Sequence, residues 1–479
     1  MGVFPAATCV RGTGTRFALA ERVRIVFDRG TLLLEDLPAG VHARELSDVL
    51  WDSRVGAFRA PAWRAYSLAS ALRRRGVRLT DRPRPRLAPP AGFRPIALRP
   101  YQEAALAAWR SSGRRGVVVL PTGSGKTRVA LAAMAATRTP CLCLVPTRAM
   151  LAQWTSALAE VYDGPIGCFG DGARELAPIT VATFASACRH MAVLGDRFGL
   201  LIADEVHHLG GGAGDEALEM SIAPLRLGLT ATPSAPEASA ARRVTLLGPV
   251  VFELAIADLV GSYLAPLTRI TLRLTLDSEE RREYEALRAV YRAAFERFQG
   301  NHLGCSWEDF VHHAARTDDG RRAIAAWRRS GRLLAFPTSK RRTLAMLLDK
   351  HRAQRTLVFV AHNETAYAIA REHLITPLTA DIGRLEREAA LAGFRTGALR
   401  ALVSAQVLNE GLDVPDADVG VVVAGRMGER EHVQRIGRLL RPADGKRALV
   451  YELVVQHSSE VRQAARRGGG LAPRDRSAA

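Results

Sequence analysis

The residues of this chain that most clearly predict chemistry lie in the segment 121–127, PTGSGKT. An apolar run at 117–120 precedes it and a helical pattern follows it, so backbone N–H groups at the start of that helix would face a phosphate chain. Lys126 would reach the β- and γ-phosphates of a nucleoside triphosphate, and Thr127 would hold Mg²⁺. The alternative is a glycine-containing turn with a surface lysine, although the chain has only four lysines. The predicted phosphate-binding residues are Thr122, Gly123, Ser124, Gly125, Lys126 and Thr127.

A pair of acidic residues supplies the second part of such a site. Asp204 and Glu205 follow directly on the apolar residues of a predicted strand, in the same predicted domain as the phosphate-binding segment. One carboxylate can bind Mg²⁺, and the other can polarise the water that attacks the terminal phosphate. Acidic pairs also cap strands without any catalytic role. The neighbouring His207 and His208 point in different directions, which disfavours a paired metal site. The predicted metal ligands are Thr127 and Asp204.

Elements that can bring these two segments together are predicted by the apolar pattern. Short apolar runs alternate with helical stretches over 101–255 and again over 356–456, which indicates parallel strands buried on both faces. The segment 277–351 between them has a helical spacing of apolar residues, and Ser278 and Ser306 are predicted to cap its helices. The sequence therefore predicts an α/β fold with two parallel-sheet domains, a helical insertion and a smaller N-terminal domain.

The N-terminal block combines a hairpin pattern with interleaved aromatic and basic residues. Residues 21–36 alternate in polarity around a turn at 28–30, which predicts a β-hairpin, whereas the proline-rich stretch 81–100 predicts a spacer. The interleaved residues are Trp51, Arg54, Phe58, Arg59, Trp63, Arg64 and Tyr66. Such residues can stack on bases and contact phosphates, but core packing is the alternative, and we favour it for Trp51 and Phe58. The segment 462–479 is predicted to be disordered.

The charge of the chain favours a polyanionic partner. There are 67 basic and 48 acidic residues, and the excess of +19 divides into +9 over 1–95, +1 over 96–255, +5 over 256–350 and +4 over 351–479. Nucleic acid is the first candidate. No stretch approaches the ~20 apolar residues of a membrane span, no secretory signal is visible, and the six cysteines form no C-x-x-C pair. We expect a protein of the reducing cytoplasm without membrane association, located at the nucleoid in a prokaryote.

Five segments occur in the order typical of superfamily 2 helicases. They are PTGSGKT, DEVH at 204–207, TAT at 230–232, NEGLDVP at 409–415 and QRIGRLLR at 434–441. Three further features restrict this resemblance to one family within the superfamily. They are LRPYQ at 98–102, WDSRVGAFRAPAWR at 51–64 and the helical insertion. With these segments the chain resembles the compact prokaryotic DNA helicases of the xeroderma pigmentosum group B type. The resemblance covers nearly the whole chain.

The resemblance implies two RecA-like domains and a division of the chain into five parts. Residues 1–90 would form a small α+β domain that senses DNA damage, with the proline-rich linker. Residues 91–255 would form the first α/β domain, which binds ATP, and 351–460 the second α/β domain. Residues 256–350 would be a connector with a helical, thumb-like insertion, and 461–479 a disordered basic tail.

The resemblance also implies roles for residues of the first α/β domain in the use of ATP and Mg²⁺. Gln102 would read the edge of adenine, which suits an amide because it both donates and accepts. His207 would connect the ATP site to Thr230 and Thr232, and through them to DNA. Lys126, Asp204 and Glu205 would carry the chemistry.

Residues of the second α/β domain would complete the ATP site. Gly411 and Asp413 would line the nucleotide, and Gln434 would couple the site to movement. Arg438 and Arg441, three residues apart on one helix face, would stabilise charge on the γ-phosphate when the cleft between the domains closes.

Contacts to the DNA backbone are implied at strand ends of both α/β domains. Hydroxyl and basic groups there would follow phosphates without reading sequence. Each of these residues could equally be an ordinary polar loop residue. The predicted DNA contacts are Thr147, Arg148, Thr183, Ser404 and Gln406 in the α/β domains, and Arg59 and Trp63 in the N-terminal block.

One segment departs from the family pattern. The Arg-Glu-Asp triplet that the family carries after TATP, and that is associated with opening duplex DNA, is replaced by Ala235, Pro236 and Glu237. The resemblance implies an ATP-dependent DNA helicase that moves 3′ to 5′ and acts in DNA repair. The departure keeps open a translocase that remodels duplex DNA, or delivers a partner nuclease, without robust unwinding. An inactive ATP-binding scaffold and an RNA helicase are further alternatives.

Overall fold

The computed structural model describes residues 22–37, 46–210, 212–231, 237–260, 262–263, 266–302, 304–405, 417–423 and 448–469. These residues form three sheets of five, eight and six strands. The five-stranded sheet belongs to the N-terminal domain, and the other two belong to the first and second α/β domains. The predicted α/β fold with two parallel-sheet domains is confirmed.

The N-terminal domain is built on the predicted hairpin. β1 (Arg22–Asp28) and β2 (Thr31–Glu35) pair antiparallel, and Gly30 in the turn has φ +93°, a conformation that favours glycine. β3 (Leu50–Asp52), β4 (Ala57–Pro61) and β5 (Arg78–Asp81) complete the sheet in the order β3-β4-β2-β1-β5. α1 (Ala65–Arg74) buries its apolar side in the same core as β1 and β2.

Trp51 is not a core residue of this domain, and the prediction for it is wrong. It lies on the edge strand β3, and 58% of its surface is exposed. Its ring contacts Phe58 edge to face, with centroids 5.0 Å apart, while Phe58 packs partly buried against the domain core. With more than half of its surface exposed, the Trp51 ring is accessible to a partner.

The first α/β domain follows the proline-rich stretch. Its helices are α2 (Pro100–Ser111), α3 (Lys126–Thr137), α4 (Arg148–Ala159), α5 (Phe184–Leu194), α6 (Ala213–Glu219), α7 (Glu237–Leu247) and α8 (Ile256–Leu259). Its strands are β6 (Arg115–Val119), β7 (Cys141–Val145), β8 (Ile166–Gly170), β9 (Ala173–Glu175), β10 (Ile179–Thr183), β11 (Leu200–Ala203), β12 (Leu225–Thr230) and β13 (Val250–Glu253). The sheet order is β13-β6-β12-β11-β7-β10-β8-β9, with only the β8–β9 pair antiparallel among these strands.

Five predicted apolar runs form the strands β6, β7, β10, β11 and β12. Every residue of β7 and β10 is buried, as expected for parallel strands covered by helices on both faces. The thiols of Cys141 and Cys143 lie buried and free in β7. Because the strands are parallel, the loops after their carboxyl ends meet at one edge of the sheet, where such folds bind ligands.

The N-terminal domain packs against the first α/β domain beside α6. Ile222 belongs to the N-terminal core, and Gly30 lies so close to the Met220 side chain that a Cβ at this position would clash with it. Arg86, in the proline-rich stretch, pairs with the buried Asp196 at 2.7 Å. This stretch is therefore tied down at the point where it crosses the first α/β domain.

The second α/β domain contains the helical insertion. In chain order the elements are β14 (Leu267–Leu274), α9 (Ser278–Asn301), α10 (Trp307–Ala314), α11 (Asp318–Ala335), α12 (Thr338–Lys350), β15 (Thr356–Val360), α13 (Asn363–His373), β16 (Thr376–Leu378), α14 (Arg384–Thr396), β17 (Ala401–Ala405), β18 (Val419–Val422), β19 (Ala448–Val455) and α15 (Ser459–Gly469). The sheet is parallel, in the order β14-β19-β18-β15-β17-β16. β14 and α12 thus belong to this domain, although both fall in the range 256–350 that we expected to be a connector and insertion.

The insertion, α9 to α11, has an aromatic core of its own. Phe298 and Phe310 are buried, with Phe295 and Trp307 packed against them. Ser306 caps α10 as predicted, whereas the N-cap of α9 is Asp277 and not Ser278. Asp277 wins this position because its carboxylate accepts from two backbone N–H groups of the first turn.

A buried ion pair holds the insertion to the rest of the domain. The Lys340 ammonium on α12 is fully buried and donates to Leu334 O at 2.8 Å and to Glu460 Oε1 at 2.7 Å. Leu334 lies in the last turn of α11, and Glu460 lies in the first turn of α15. The prediction of disorder is therefore wrong for residues 462–469, which are helical, while 470–479 lie outside the described residues.

Candidate active site

The phosphate-binding segment connects β6 to α3 at the carboxyl edge of the first α/β domain. Gly123 and Gly125 have φ angles of +83° and +79°, which favour glycine. Gly125 is the N-cap of α3, and no side chain caps this helix, so its first N–H groups are available to an anion. A Cβ at Gly125 would lie 2.5 Å from Gln102 Nε2, so the loop has little room for a larger residue.

Lys126 begins α3 and points toward the acidic pair. Its ammonium donates to Leu120 O at 3.3 Å and lies 3.9 Å from Glu205 Oε1. Its side chain is only 11% exposed, which places the charge inside the cleft rather than on the surface. The other side chains of the loop, all buried or partly buried, are those of Thr122, Ser124 and Thr127.

The Asp204 carboxylate is held at both oxygens. Oδ2 accepts from the Trp154 indole Nε1 at 2.9 Å, and Oδ1 accepts from the Glu205 backbone N–H at 2.9 Å. Burial, and then the neighbouring Glu205 carboxylate, raise the pKa of Asp204 to about 6, against the opposing effect of Lys126. Glu205 itself has φ +50°, so the chain turns sharply after β11 and directs the two carboxylates toward the loop.

His207 connects the acidic pair to the end of β12. Its Nδ1 lies 3.3 Å from Glu205 Oε2 and 3.3 Å from Thr230 Oγ1. The Thr230 carbonyl in turn accepts from the Leu120 N–H at 3.0 Å, next to the phosphate-binding loop. The structure thus brings His207 and Thr230 together, and the coupling role of this pair stays a prediction because Thr232 lies outside the described residues.

Gln102 contacts the phosphate-binding loop rather than open space. Its Nε2 donates to Ser124 O at 2.7 Å and lies 3.4 Å from Gly125 O, while its Oε1 accepts from the Arg99 N–H at 2.9 Å. The Tyr101 hydroxyl donates to the same Ser124 carbonyl at 2.7 Å. The amide oxygen of Gln102 has a second lone pair, so it could still accept a hydrogen bond from adenine while it accepts from the Arg99 N–H. Recognition of adenine by Gln102 therefore stays a prediction.

These residues fit a magnesium-bound nucleotide. The buried Asp204 carboxylate and the partly buried Glu205 carboxylate face one ammonium, and a divalent cation would offset the remaining negative charge. Mg²⁺ is bound in proteins by one or two carboxylates together with phosphate oxygens. The described residues contain no group of three or more His, Cys, Asp or Glu side chains that could hold a metal ion. Thr127 and Asp204 are the residues that would hold Mg²⁺.

Trp154 and Tyr101 are site residues that no motif of the sequence predicts. Trp154 stands 50 positions before Asp204, so no local spacing connects them. Tyr101 does lie beside Gln102, and its placement at the start of a helix could have drawn attention to it. Both are buried residues whose polar atom contacts the site, a combination that composition alone does not reveal.

Three predicted DNA contacts lie together at the same edge of the sheet. Thr147 and Thr183 are the N-caps of α4 and α5, where each hydroxyl accepts a backbone N–H. Arg148 is exposed and pairs with Asp171 at 3.0 Å. Ser404, in β17 of the second α/β domain, is 1% exposed, so a strand-end position does not by itself make it accessible.

The two predicted contacts of the N-terminal domain are engaged with protein. Arg59 lies 3.0 Å from Asp28 Oδ2 and 3.1 Å from Asp52 Oδ2, which ties β4 to β1 and β3. Trp63 is partly buried against the first α/β domain, with the Arg64 guanidinium 5.1 Å from its ring centroid. Their DNA contacts remain predictions, and the exposed Trp51 is better placed for stacking than Trp63.

Several predicted residues lie outside the described part of the chain. Their roles rest on the sequence motifs alone. They are Thr232, Gln406, Gly411, Asp413, Gln434, Arg438 and Arg441.

Three family models match the chain in separate places. Residues 25–82 match the xeroderma pigmentosum group B helicase damage recognition domain. Residues 95–235 match the type III restriction enzyme, res subunit, and residues 339–443 match the helicase conserved C-terminal domain. Among the described helices, none combines the length and apolar character needed to cross a bilayer.

Curated relatives extend this similarity over most of the chain. DNA 3′-5′ translocase XPB2 of Sulfurisphaera tokodaii is 36% identical over 375 residues, which cover 78% of this chain and 84% of that protein. DNA 3′-5′ helicase XPB of Mycobacterium tuberculosis is 30% identical over 389 residues, covering 78% of this chain. Putative DNA 3′-5′ helicase Rad25 of Halobacterium salinarum is 31% identical over 374 residues, covering 76% of this chain. The chain spans 64% and 55% of the lengths of these last two proteins.

A solved structure has the same fold. The Hef helicase domain of Pyrococcus furiosus superposes with a TM-score of 0.53 at 20% identity, covering 77% of this chain and 97% of that domain. At this identity the likeness concerns the fold alone.

Proposed function

Because the chain belongs to the XPB family of superfamily 2 helicases, we propose that it is a DNA motor that uses Mg²⁺-ATP hydrolysis to move 3′ to 5′ along DNA and to open it. The observation that carries the proposal is the convergence of Lys126, Asp204 and Glu205 at one sheet edge, with His207 within 3.3 Å of both Glu205 and Thr230. A role in DNA repair is supported by the match to a damage recognition domain.

Each residue of the site has a chemical task in this proposal. Lys126 would bind the β- and γ-phosphates, and the first N–H groups of α3 would hold the same chain. Asp204 and Thr127 would hold Mg²⁺, which supplies electrophilic stabilisation of the phosphoryl oxygens. Glu205 would orient the attacking water and accept its proton. Arg438 and Arg441 would reach the γ-phosphate from the second α/β domain only in the closed state, so hydrolysis would require closure.

DNA would run across the edge formed by the N-termini of α4 and α5. Thr147, Arg148 and Thr183 would follow the phosphates without reading bases. Because such contacts release counterions, affinity should fall steeply with salt concentration. Because the first α/β domain is nearly neutral, most of this electrostatic affinity for DNA would come from the basic N-terminal and insertion segments, where the excess charge is concentrated.

The N-terminal domain would add affinity for distorted duplex DNA. The exposed Trp51 supports this, because an accessible ring can stack on an unpaired base. Binding of full-length protein and of a variant lacking residues 1–90 should be compared on bubble and intact duplexes of equal length. The truncated protein should lose its preference for the bubble, and equal binding of both DNAs by both proteins would contradict the proposal.

The test of the whole proposal is an ATPase and strand-displacement series on single-stranded, 3′-tailed, forked and bubble DNA, with Glu205→Gln as the matched inactive control. DNA should stimulate hydrolysis by the wild type and not by the control. An inert wild type would favour an ATP-binding scaffold, and stimulation by RNA but not by DNA would favour an RNA helicase.

A second candidate function is translocation on duplex DNA without robust unwinding. It is favoured by Ala235, Pro236 and Glu237 in place of the triplet associated with duplex opening. Such a motor would displace the third strand of a triplex but would not separate a 3′-tailed duplex. It could deliver a partner nuclease or repair protein to its site. In either case the protein would act at the chromosome, which in a prokaryote lies in the cytoplasm.

A further inference from the structure

A buried tryptophan holds the carboxylate that would bind Mg²⁺. Trp154 is 2% exposed, Asp204 is 4% exposed, and the indole Nε1 donates to Asp204 Oδ2 at 2.9 Å. The indole N–H can only donate, so it fixes which face of the carboxylate is occupied by protein. An aliphatic side chain would fill the same space, but it would leave a buried carboxylate oxygen without this donor, which is costly.

The second oxygen of the Asp204 carboxylate is also held by a hydrogen bond. Oδ1 accepts from the Glu205 N–H, which is fixed by the sharp turn after β11. The Asp204 N–H donates to Leu144 O of β7 at 2.9 Å. The carboxylate is therefore set by the rigid sheet on one side and by the Trp154 indole on the other. Of these two supports, the indole belongs to the helix α4, whereas the Glu205 N–H belongs to the turn after β11.

That helix begins at the predicted DNA contacts. Thr147 caps α4. Arg148, in the first turn of this helix, is exposed and pairs with Asp171. One turn further, Leu151 packs so closely on Gly170 that a Cβ there would lie 2.8 Å from Leu151 Cδ1. The same Cβ would lie 3.3 Å from Thr183 Cγ2, so Gly170 lies between Leu151 of α4 and the cap residue of α5.

Helix geometry makes the connection direct. Thr147 and Trp154 are seven positions apart, which is two turns, or about 10 Å, on the same face of α4. A displacement of the N-terminus of α4 is thus transmitted to the indole through a single rigid element, without any intervening loop.

We propose that Trp154 is a positioning residue that couples DNA at the N-terminus of α4 to the Mg²⁺ ligand Asp204. DNA held by Thr147 and Arg148 fixes α4, and the indole then holds the carboxylate in the orientation that binds the metal. The inference rests on the proposed DNA contacts and deepens them, because it gives DNA-stimulated hydrolysis a physical route that is separate from the contact between His207 and Thr230.

The decisive variant is Trp154→Phe, which keeps an aromatic ring and removes the N–H donor. Its matched control is Trp109→Phe in the same domain, because Trp109 is fully buried and donates its indole N–H to Arg226 O at 2.9 Å, away from the site. Both variants lose one buried indole hydrogen bond, so a purely structural effect should appear equally in both.

Three measurements separate positioning from stability. The first is the ratio of DNA-stimulated to basal ATPase rate, which should fall about tenfold in Trp154→Phe and stay at the wild-type value in Trp109→Phe. The second is the Mg²⁺ concentration at half-maximal binding of a fluorescent ADP analogue without DNA, which should rise severalfold in Trp154→Phe only. The third is the ¹⁹F NMR signal of Trp154 in protein labelled with 5-fluorotryptophan, assigned among the six tryptophans by its loss in Trp154→Phe.

The expected NMR result is a shift of the Trp154 signal when single-stranded DNA is added without nucleotide. An unchanged signal, or an unchanged stimulation ratio in Trp154→Phe beside normal stimulation of the wild type, overturns the coupling and leaves the proposed function intact. A wild type that DNA does not stimulate refutes both. An equal fall of the ratio in the two variants assigns Trp154 a structural role and also overturns the proposal.

Discussion

Asp204 should make the free energy of unfolding depend on pH in a way that an asparagine removes. Burial, and then the neighbouring Glu205, raise the pKa of Asp204 from 3.8 to about 6 in the folded protein. The folded protein therefore holds this proton more tightly than the unfolded chain does. The resulting stabilisation is fully present below pH 3.8 and is lost as the pH rises through about 6. A pKa difference of this size corresponds to about 3 kcal/mol.

Asp204→Asn keeps the shape of the side chain and does not titrate. The wild type should lose about 2 kcal/mol of this stabilisation as the pH rises from 4.5 to 7.5. The variant does not lose it, so its free energy of unfolding should rise by this amount relative to that of the wild type. The asparagine amide faces one of two donors, Trp154 or the Glu205 N–H, which lowers the stability of the variant by about 1–3 kcal/mol at every pH. This second effect changes the difference in free energy of unfolding between the two proteins equally at every pH. It therefore leaves the pH dependence of that difference unchanged.

Urea denaturation in EDTA at pH 4.5, 6 and 7.5 measures the difference between the two proteins. Asp163→Asn serves as the control, because it makes the same change at an exposed carboxyl. A difference between wild type and Asp204→Asn that is the same at all three pH values would contradict a raised pKa of Asp204. Mg²⁺ with ADP favours the ionised carboxylate, so its stabilisation of the wild type should increase as the pH rises from 5 to 7.

Three further predictions test other parts of the molecule. Lys126→Ala removes the cation beside Glu205 and should lower ATP hydrolysis by at least about 10²-fold in a coupled assay, and a rate near wild type would contradict its assignment. Arg441→Ala should leave equilibrium ATP binding near normal and lower single-turnover hydrolysis by about 10³-fold, whereas a strong loss of affinity would make it a binding residue. Lys340→Met leaves the Glu460 carboxylate buried without this ammonium and should lower the free energy of unfolding in urea by about 3–5 kcal/mol. Replacing both Lys340 and Glu460 with Met should recover most of that loss, and a single variant as stable as the wild type would contradict the role of the pair.

The parts of the site that depend on backbone geometry were predictable from the sequence. Gly123 and Gly125 occupy positive-φ positions that few other residues tolerate, so the loop is visible in the residue types themselves. The carboxylates follow an apolar strand whose burial is equally visible. The Trp154–Asp204 contact was not predictable, because its partners lie on separate elements and Trp154 reads as an ordinary core residue.

Elements at the margins of the second α/β domain were also not predicted, because they form against partners that are distant in the sequence. β14 reads LTRITLRL, in which Arg269 and Arg273 break the apolar run, and it forms because β19 pairs with its whole length. The helix α15 is rich in arginine and glycine, and its first turn is held by Lys340, 120 positions away in the chain. Trp51 shows the opposite error, since a three-residue edge strand does not determine which aromatic ring faces the core.

The pairing of β14 with β19 also constrains how the protein can be made. Residues 267–274 find their partner strand only at 448–455, so the edge of the second sheet stays open while everything between is synthesised. The insertion and its aromatic core are built from local contacts and can form earlier, and so can the first α/β domain. During translation there is consequently a period in which the first α/β domain exists without a finished second α/β domain beside it. A nascent chain in that state has the loop that would bind phosphate but not the second domain that would close over it.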